Sequence, residues 1–262
     1  MSMVSKTIGG VPFLSSPLLE ATGAVAHGFS TRLGGVSLPP FDQLNLGFNR
    51  GDDAARVAEN YRLFCTAIGT DSGQRIRNRQ IHSDLVRKVT GPDAADTEPC
   101  SADGLVTDVP GLCLTVFTAD CVPLLLCDPR RGCVAAVHSG WRSTAMTIAA
   151  RAVETMVSDY GCRPEDLVAA IGPSIGPCCF ETDRDVPDAM PDWAAPHIRP
   201  LGNARYRVDL KAIVAQTLTR CGIPADHMDI SDHCTACRTD LYWSHRLLGA
   251  ARGSMATMIQ LL

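Results

Sequence analysis

Three residues of this sequence have side chains that together suit one transition-metal ion. His82 lies in the segment RQIHSDLV, Cys121 in TADCVPLLL, and His138 near the end of CVAAVHS. Two imidazoles and one thiolate favour Zn²⁺, and three protein ligands leave the fourth tetrahedral position open for water or substrate, as in a catalytic site. The residues are widely separated and match no compact metal-binding motif, so spacing alone does not establish that they converge.

Short apolar runs predict the strands that bring two of these residues together. The runs GLVT, CLTVF, VPLLLCD and CVAAVHS are divided by Gly and Pro and are typical of closely spaced, buried strands. Cys121 precedes the third run and His138 lies near the end of the fourth, so antiparallel pairing of these consecutive strands places the two side chains side by side. Ile81 and Leu85 predict that His82 lies at the edge of a strand.

Helical patterns alternate with these strands. Residues 52–69 form an amphipathic pattern with Asp52 as N-cap and Gly69 as stop, residues 143–160 begin at Ser143, and residues 209–222 form a third helix. Strands are predicted over 166–172 and 254–262. The alternation predicts an α/β fold, a single-domain layered sandwich over residues 1–262 with mixed β-sheets flanked by helices.

The composition limits the partners that this protein can have. Its 45% hydrophobic and 20% charged content is typical of a globular domain, and the formal net charge of −4 gives no basis for binding nucleic acid or an anionic membrane. No segment approaches the roughly 20 apolar residues of a membrane helix, and the N-terminal segment lacks a signal-peptide core. We therefore expect a cytoplasmic protein whose cysteines are reduced, and structural roles for those inside apolar runs: Cys65, Cys113, Cys127, Cys133, Cys162 and Cys221.

Several long motifs in one order resemble a known family. They are HGFSTRLGGVS, NLGFNRGDD, VAENYR, QIHS, SADGLVTDVPG, TADCVPLLLCD, AAVHSGWR and IGPSIG. Together they resemble the YfiH-type proteins, known as multicopper polyphenol oxidoreductases, laccase-domain proteins or purine nucleoside phosphorylases. The resemblance implies that His82, Cys121 and His138 are the metal ligands and the catalytic centre.

The resemblance also implies an activity, the phosphorolysis of adenosine, inosine and related nucleosides, with adenosine deamination as a side activity. An open zinc site suits both reactions, because the ion activates water for attack at C6 of a purine and helps to position phosphate. A multicopper oxidase needs more imidazoles than the seven histidines present. We therefore expect zinc rather than copper, purine nucleosides and phosphate as the partners, and a monomer or small homo-oligomer.

Four further residues are candidate substrate contacts. Arg32 in STRLGG and Arg142 in SGWR are predicted to bind phosphate, because a guanidinium group forms bidentate hydrogen bonds to phosphate oxygens. Asn45 is a weaker candidate, and Asp120 could orient a metal ligand or take a proton from substrate. Arg246 is also a weak candidate. Its segment SHRLLGAARG departs from the family's adjacent arginines and Thr-Gly-Arg, so the resemblance implies no role for this part of the chain.

Other functions stay open at this point. Cys121 could be a nucleophile with His138 as its base, as in a cysteine hydrolase or amidase that edits peptidoglycan precursors. A single-copper polyphenol oxidoreductase and a non-catalytic binding module are further alternatives. The CxxC formed by Cys234 and Cys237 supplies too few ligands for a second metal by itself, although Cys178 and Cys179 could complete it.

Overall fold

The computed structural model describes residues 3–91 and 100–262 of the chain. The strands in these ranges are, in chain order, β1 (Val4–Ile8), β2 (Val11–Ser15), β3 (Val25–Ser30), β4 (Arg75–Arg77), β5 (Val86–Lys88), β6 (Gly104–Thr107), β7 (Cys113–Thr118), β8 (Val122–Asp128), β9 (Cys133–Ser139), β10 (Val168–Ile171), β11 (Glu181–Thr182), β12 (Ile198–Gly202), β13 (Arg205–Val208), β14 (Met228–Ile230) and β15 (Met255–Leu261). The α-helices are α1 (Pro17–Ala21), α2 (Ala54–Ile68), α3 (Trp141–Ala145), α4 (Ile148–Tyr160), α5 (Asp185–Ala189), α6 (Leu210–Arg220) and α7 (His245–Leu248). None of these helices has the length and apolar character that crossing a bilayer requires.

Two six-stranded mixed sheets form the centre of the fold. Their strand orders are β1-β2-β3-β15-β7-β4 and β14-β10-β8-β9-β6-β5, and β11-β13-β12 form a small third sheet. Neighbouring strands in the two large sheets are antiparallel except for the pairs β4–β7, β5–β6 and β10–β14. The prediction of an α/β fold with mixed sheets flanked by helices is confirmed.

The layers follow from the alternation of side chains along each strand. β7 and β15 contact β8 and β9, so the two large sheets lie face to face. On β8, Leu125 and Cys127 belong to the core between the sheets, whereas Leu124 and Leu126 belong to the core shared with α4 and α6. Helix α2 covers the outer face of the other sheet through Phe64. The order of layers is therefore helix, sheet, sheet, helix.

Helix α2 begins one residue later than the sequence indicated. The carboxylate of Asp53 caps it by accepting from the backbone N–H groups of the first turn, and Gly69 ends it in the left-handed conformation. Asp52 has a different role, because its carboxylate accepts hydrogen bonds from Ser37 and Asn45. The predicted helix is confirmed and its predicted N-cap is wrong.

The predicted helix over 143–160 is two helices. Thr147 has φ +59°, and its N–H bonds to the carbonyl of Thr144, so the α-helical hydrogen-bond series is broken between α3 and α4. Ser143 is not an N-cap, because α3 starts after Gly140 and the Ser143 side chain is fully buried. The break leaves α3 as a short segment that directly follows β9.

The cysteines expected to be structural are mostly buried and are free thiols. Only Cys221 of the six is half-buried rather than buried. Burial raises the pKa of the Cys113 and Cys127 thiols to about 12. Such thiols are inert, as the sequence predicts.

Candidate metal centre

Antiparallel pairing of β8 and β9 positions two of the three candidate metal ligands. Val122 pairs with Ser139 and Pro123 with His138, so Cys121, which immediately precedes β8, lies beside the end of β9. The sequence predicted this adjacency, and the register confirms it.

His82 reaches the same place from a loop between β4 and β5 rather than from a strand edge. Its backbone has φ +59°, which a residue with a side chain rarely adopts. The ring centroids of His82 and His138 are 4.9 Å apart and nearly perpendicular. One ligand atom from each of His82, Cys121 and His138 lies within 4.8 Å of the other two. The structure therefore brings all three residues together.

A buried carboxylate that the sequence analysis did not single out organises both histidines. Asp103 is fully buried. Its Oδ1 accepts from the backbone N–H of His82 at 3.0 Å and lies 2.8 Å from Nδ1 of His138. Its Oδ2 accepts from the N–H groups of Ile81 and Ser83 and from the Ser83 hydroxyl. Asp103 thus holds the strained loop of His82 and orients the His138 ring.

The charges of the site favour this arrangement. Burial by itself raises the pKa of Asp103. The hydrogen bonds from His138 and Ser83 outweigh burial and lower this pKa to about 2. Burial disfavours a charged His138, but the Cys121 sulfur and Asp103 outweigh it and raise the pKa of His138 to about 9. Burial lowers the pKa of His82, and His138 adds to the effect. An ionised Asp103 therefore keeps a proton on Nδ1 of His138, so Nε2 is the ring nitrogen that can bind a metal ion, on release of its own proton.

The donor set fits a divalent metal ion. Two imidazoles and one sulfur converge, one imidazole is oriented by a carboxylate, and His82 is exposed whereas His138 is buried. This is the pattern of an open site, in which a protein-bound ion keeps one position for an exchangeable ligand.

Two cavities of about 470 Å³ each meet at this cluster. Both are lined by His82, Ala119, Cys121 and Arg252. The first cavity extends along Phe48, Arg50, Arg77, Arg79 and Phe117, and among the described residues no carboxylate lines it. The second extends along Trp141, Arg142, Ile175, Phe180, Leu210 and Arg246. One cavity is thus strongly cationic, and the other has aromatic and aliphatic walls.

Two of the predicted substrate contacts line the second cavity. Arg142 is exposed and its guanidinium stacks over Trp141 at 4.2 Å, without a hydrogen bond or ion pair from that guanidinium to any described residue. Asp120 has both oxygens engaged, by the Thr235 hydroxyl and by the Ser244 hydroxyl together with the N–H of Arg246. Asp120 therefore anchors the loops of the cavity wall.

The other two predicted contacts are not brought to the cavities. Arg32 donates to the carbonyls of Asp42 and Thr239 and stacks over Trp243 at 3.8 Å. Asn45 is fully buried and bonds the backbone of Gly47. Both side chains fix loops, a role that a sequence alone does not distinguish from anion binding.

Sequence reasoning also missed Arg252. It is buried, lies where the cavities meet, and its Nε has no hydrogen-bond partner among the described residues. Burial, reinforced by Arg50, lowers its pKa to about 10. Its Nη1 donates to the Gly253 carbonyl and the Ser254 hydroxyl, but no carboxylate among the described residues forms an ion pair with it. Buried charges are usually paired, so this arginine facing a cavity indicates an anionic ligand. For Asp103, in contrast, the sequence did contain an indication, because this residue lies in the family-like segment SADGLVTDVPG.

Gly140 supplies a first test of the cluster. Its φ of −71° suits any residue, but a Cβ there lies 2.3 Å from Nδ1 of His82 and 3.3 Å from Sγ of Cys121. Gly140→Ala is therefore expected to displace His82 and weaken metal binding about tenfold or more, the scale seen when the support of a metal ligand is lost. Titration of metal-free protein with Zn²⁺ measures this. Gly91→Ala, where the Cβ meets nothing within 4 Å, is the matched control. Equal affinity in both variants would contradict the assignment.

Comparisons with known proteins match nearly the whole chain. A family model described as multi-copper polyphenol oxidoreductase laccase matches residues 26–262. The chain is 35% identical over 247 residues to the purine nucleoside phosphorylase YlmD of Geobacillus stearothermophilus, covering 90% of each. It is 36% identical over 241 residues to the purine nucleoside phosphorylase YfiH of Shigella flexneri, covering 91% of this chain and 94% of that one. The crystal structure of the Bacillus licheniformis hypothetical protein YfiH has a TM-score of 0.92 at 34% identity, covering 98% of this chain and 99% of that one.

Proposed function

This chain belongs to the multi-copper polyphenol oxidoreductase laccase family, and we propose that it is a zinc-dependent purine nucleoside phosphorylase. The observation that carries the proposal is the cluster of His82, Cys121 and His138 at the junction of a cationic cavity and an aromatic one. Phosphorolysis needs an anion and a nucleoside to meet at one point. The names of the similar proteins support the same activity.

The histidines argue against a multicopper centre. Five of the seven lie outside the cluster, and each has a hydrogen-bond contact of its own: His27, His197, His227, His233 and His245. Two imidazoles and one sulfur suffice for a single ion, whereas a copper cluster that reduces oxygen needs many more imidazoles. We therefore keep zinc as the proposed ion.

Phosphate is proposed to bind in the first cavity. Arg50, Arg79 and Arg252 line it, and no carboxylate among the described residues belongs to its lining. A guanidinium group can form two parallel hydrogen bonds to phosphate oxygens, and an anion in the first cavity compensates the buried charge of Arg252. This moves phosphate away from Arg32 and Arg142, the two arginines that the sequence analysis predicted to bind it.

The nucleoside is proposed to bind in the second cavity. Trp141, Phe180 and Leu210 offer aromatic and aliphatic surface for a purine. Arg142, which has no polar partner among the described residues, is then the donor for the purine edge. A guanidinium pairs well with the O6 and N7 acceptors of inosine, and with the N7 acceptor of adenosine.

The reaction then takes place at the junction. A phosphate oxygen bonds to C1′ of the ribose as the C1′–N9 bond breaks, and the purine leaves with the bonding electron pair. Arg142 stabilises the negative charge that builds on the leaving base, and the arginines of the first cavity hold the phosphate in line. His82, Cys121 and His138 would hold the zinc ion, which would supply Lewis acidity at the junction. Deamination of adenosine needs a second orientation, in which C6 rather than C1′ faces the junction.

A product assay tests the proposal. Untagged protein purified without chelators is incubated with inosine or adenosine, with and without phosphate. We expect ribose 1-phosphate and free base only when phosphate is present, and inosine from adenosine in either case. If none of these products forms while the protein carries its metal, the proposed activity is wrong.

A pair of arginine variants tests which substrate binds in which cavity. Arg50→Gln is expected to raise the KM for phosphate about tenfold, the loss of roughly 1.4 kcal/mol that one charge-assisted contact contributes. Arg142→Gln is expected to raise the KM for the nucleoside by a similar factor and leave that for phosphate unchanged. Arg131→Gln, at the opposite end of β9, is the control. If the two KM effects are exchanged, the assignment of the cavities is reversed.

A second candidate function rests on one specific observation. The Cys121 sulfur lies beside His138, whose Nδ1 is 2.8 Å from Asp103 Oδ1. Cysteine, histidine and aspartate in this order also form a nucleophilic hydrolase triad. Alkylation of Cys121 before and after removal of metal decides between the two functions, because a coordinated Cys121 is not a free nucleophile.

A further inference from the structure

A second cluster of thiols lies outside the candidate metal centre. Cys178 and Cys179 belong to the loop between β10 and β11, and Cys234 and Cys237 to the loop after β14. The four sulfur atoms lie within 4.8 Å of one another. Cys237 Sγ is 3.6 Å from the sulfur of Cys178 and 3.4 Å from that of Cys179. Two loops far apart in sequence thus converge through four sulfurs.

We propose that these four cysteines bind a second, structural metal ion, a thiophilic divalent cation such as Zn²⁺. Four sulfurs at the Zn–S distance of about 2.3 Å form a tetrahedron with edges of about 3.8 Å. The two Cys237 separations are close to that value, and all four sulfurs lie within 4.8 Å of one another. Cys234 and Cys237 supply the C-x₂-C spacing that is usual for structural zinc. The sequence alone left this site without its other two ligands.

The surroundings of the cluster favour thiolates. The backbone N–H of Gly176 donates to Cys234 Sγ at 3.2 Å. Lys211 is buried, donates to the carbonyls of Ser231 and His233, and interacts electrostatically with Cys234 and Cys178. A tetrathiolate zinc site carries net negative charge, so a buried ammonium and an N–H directed at sulfur both stabilise it.

The same loops form the wall of the second cavity. The guanidinium of Arg246 donates to the carbonyls of Cys179 and Glu181, at 3.3 and 2.9 Å. Thr235, inside the C-x₂-C loop, donates to Asp120 at 2.6 Å. An ion that joins the two loops therefore fixes the wall beside the candidate active site without contacting substrate.

Metal analysis of the intact protein tests the proposal. Untagged protein is purified under reducing conditions without chelators, and its zinc is measured per chain. We expect two equivalents in the wild type. Cys237→Ser and, separately, Cys178→Ser are each expected to lose one, and His82→Ala is expected to lose the other. The two sites are lost independently, so failure of one is distinguishable from failure of the other.

Spectroscopy identifies the ligands without relying on a variant of the cluster. Co²⁺ loaded into the His82→Ala protein should give the strong visible and sulfur charge-transfer bands of tetrathiolate cobalt, and X-ray absorption of its zinc should show sulfur neighbours only. Circular dichroism checks that each variant is folded. The proposal is overturned if the folded His82→Ala protein holds no metal, or if peptide mapping of protein alkylated at lysis shows that Cys237 forms a disulfide.

Discussion

Replacing Cys121 with serine is expected to empty the candidate metal centre and to lower kcat/KM for inosine phosphorolysis by about 10³-fold or more. A zinc ion stabilises transition-state charge by several kcal/mol, and about 4 kcal/mol corresponds to that factor. Serine is neutral at the working pH and is a poor zinc ligand beside two imidazoles. Zinc content and initial rates are measured on the same preparation.

Cys100→Ser is the matched control for this variant. Cys100 is an exposed free cysteine that lines neither cavity, so its replacement should leave zinc content and turnover unchanged. The experiment also separates the rival hydrolase. A hydrolase predicts a wild-type protein whose zinc content does not change on Cys121→Ser and whose Cys121 is rapidly alkylated, whereas the metalloenzyme predicts protection of Cys121 until a chelator removes the ion.

The sequence predicted those elements whose hydrophobic pattern agrees with the burial of their side chains in the structure. β8 and β9 are continuous apolar runs because both faces are covered, one by the other large sheet and one by helices. Consecutive strands with a short connection pair antiparallel, which brought Cys121 to His138. Periodicity likewise predicted α2 and α6.

What the sequence did not predict depends on contacts between distant segments. His82 has a left-handed backbone because Asp103, 21 residues later, binds three successive N–H groups. Thr147 breaks a segment whose periodicity is helical throughout. Arg32 and Arg252 are the same residue type in glycine-rich loops, yet Arg32 binds carbonyls of other loops and lines neither cavity, whereas Arg252 faces both cavities. Only the tertiary structure separates these cases.

Asp103 contacts both His82 and His138. Its replacement by asparagine is expected to have the second large effect, a loss of zinc affinity. Asparagine keeps one carbonyl oxygen but replaces the other acceptor with an NH₂ donor. Whichever way the amide turns, one group of donors, either His82 N–H with His138 Nδ1–H or the N–H groups of Ile81 and Ser83, loses its acceptor. We expect zinc affinity to fall 10- to 100-fold, as for other buried partners of metal-bound histidine.

The rescue of Asp103→Asn by excess metal shows that this residue positions the ligands. If Asp103 acts only through His82 and His138, saturating zinc should restore most of kcat, although the apparent zinc affinity stays low. Asp128→Asn is the matched control, because Asp128 is equally buried and accepts from two backbone N–H groups at the opposite end of β8. It should lose stability without losing zinc. Unchanged zinc affinity in Asp103→Asn, or a kcat that zinc cannot restore, would show that Asp103 has a different role, because a carboxylate that only orients two imidazoles has no other route to the reaction.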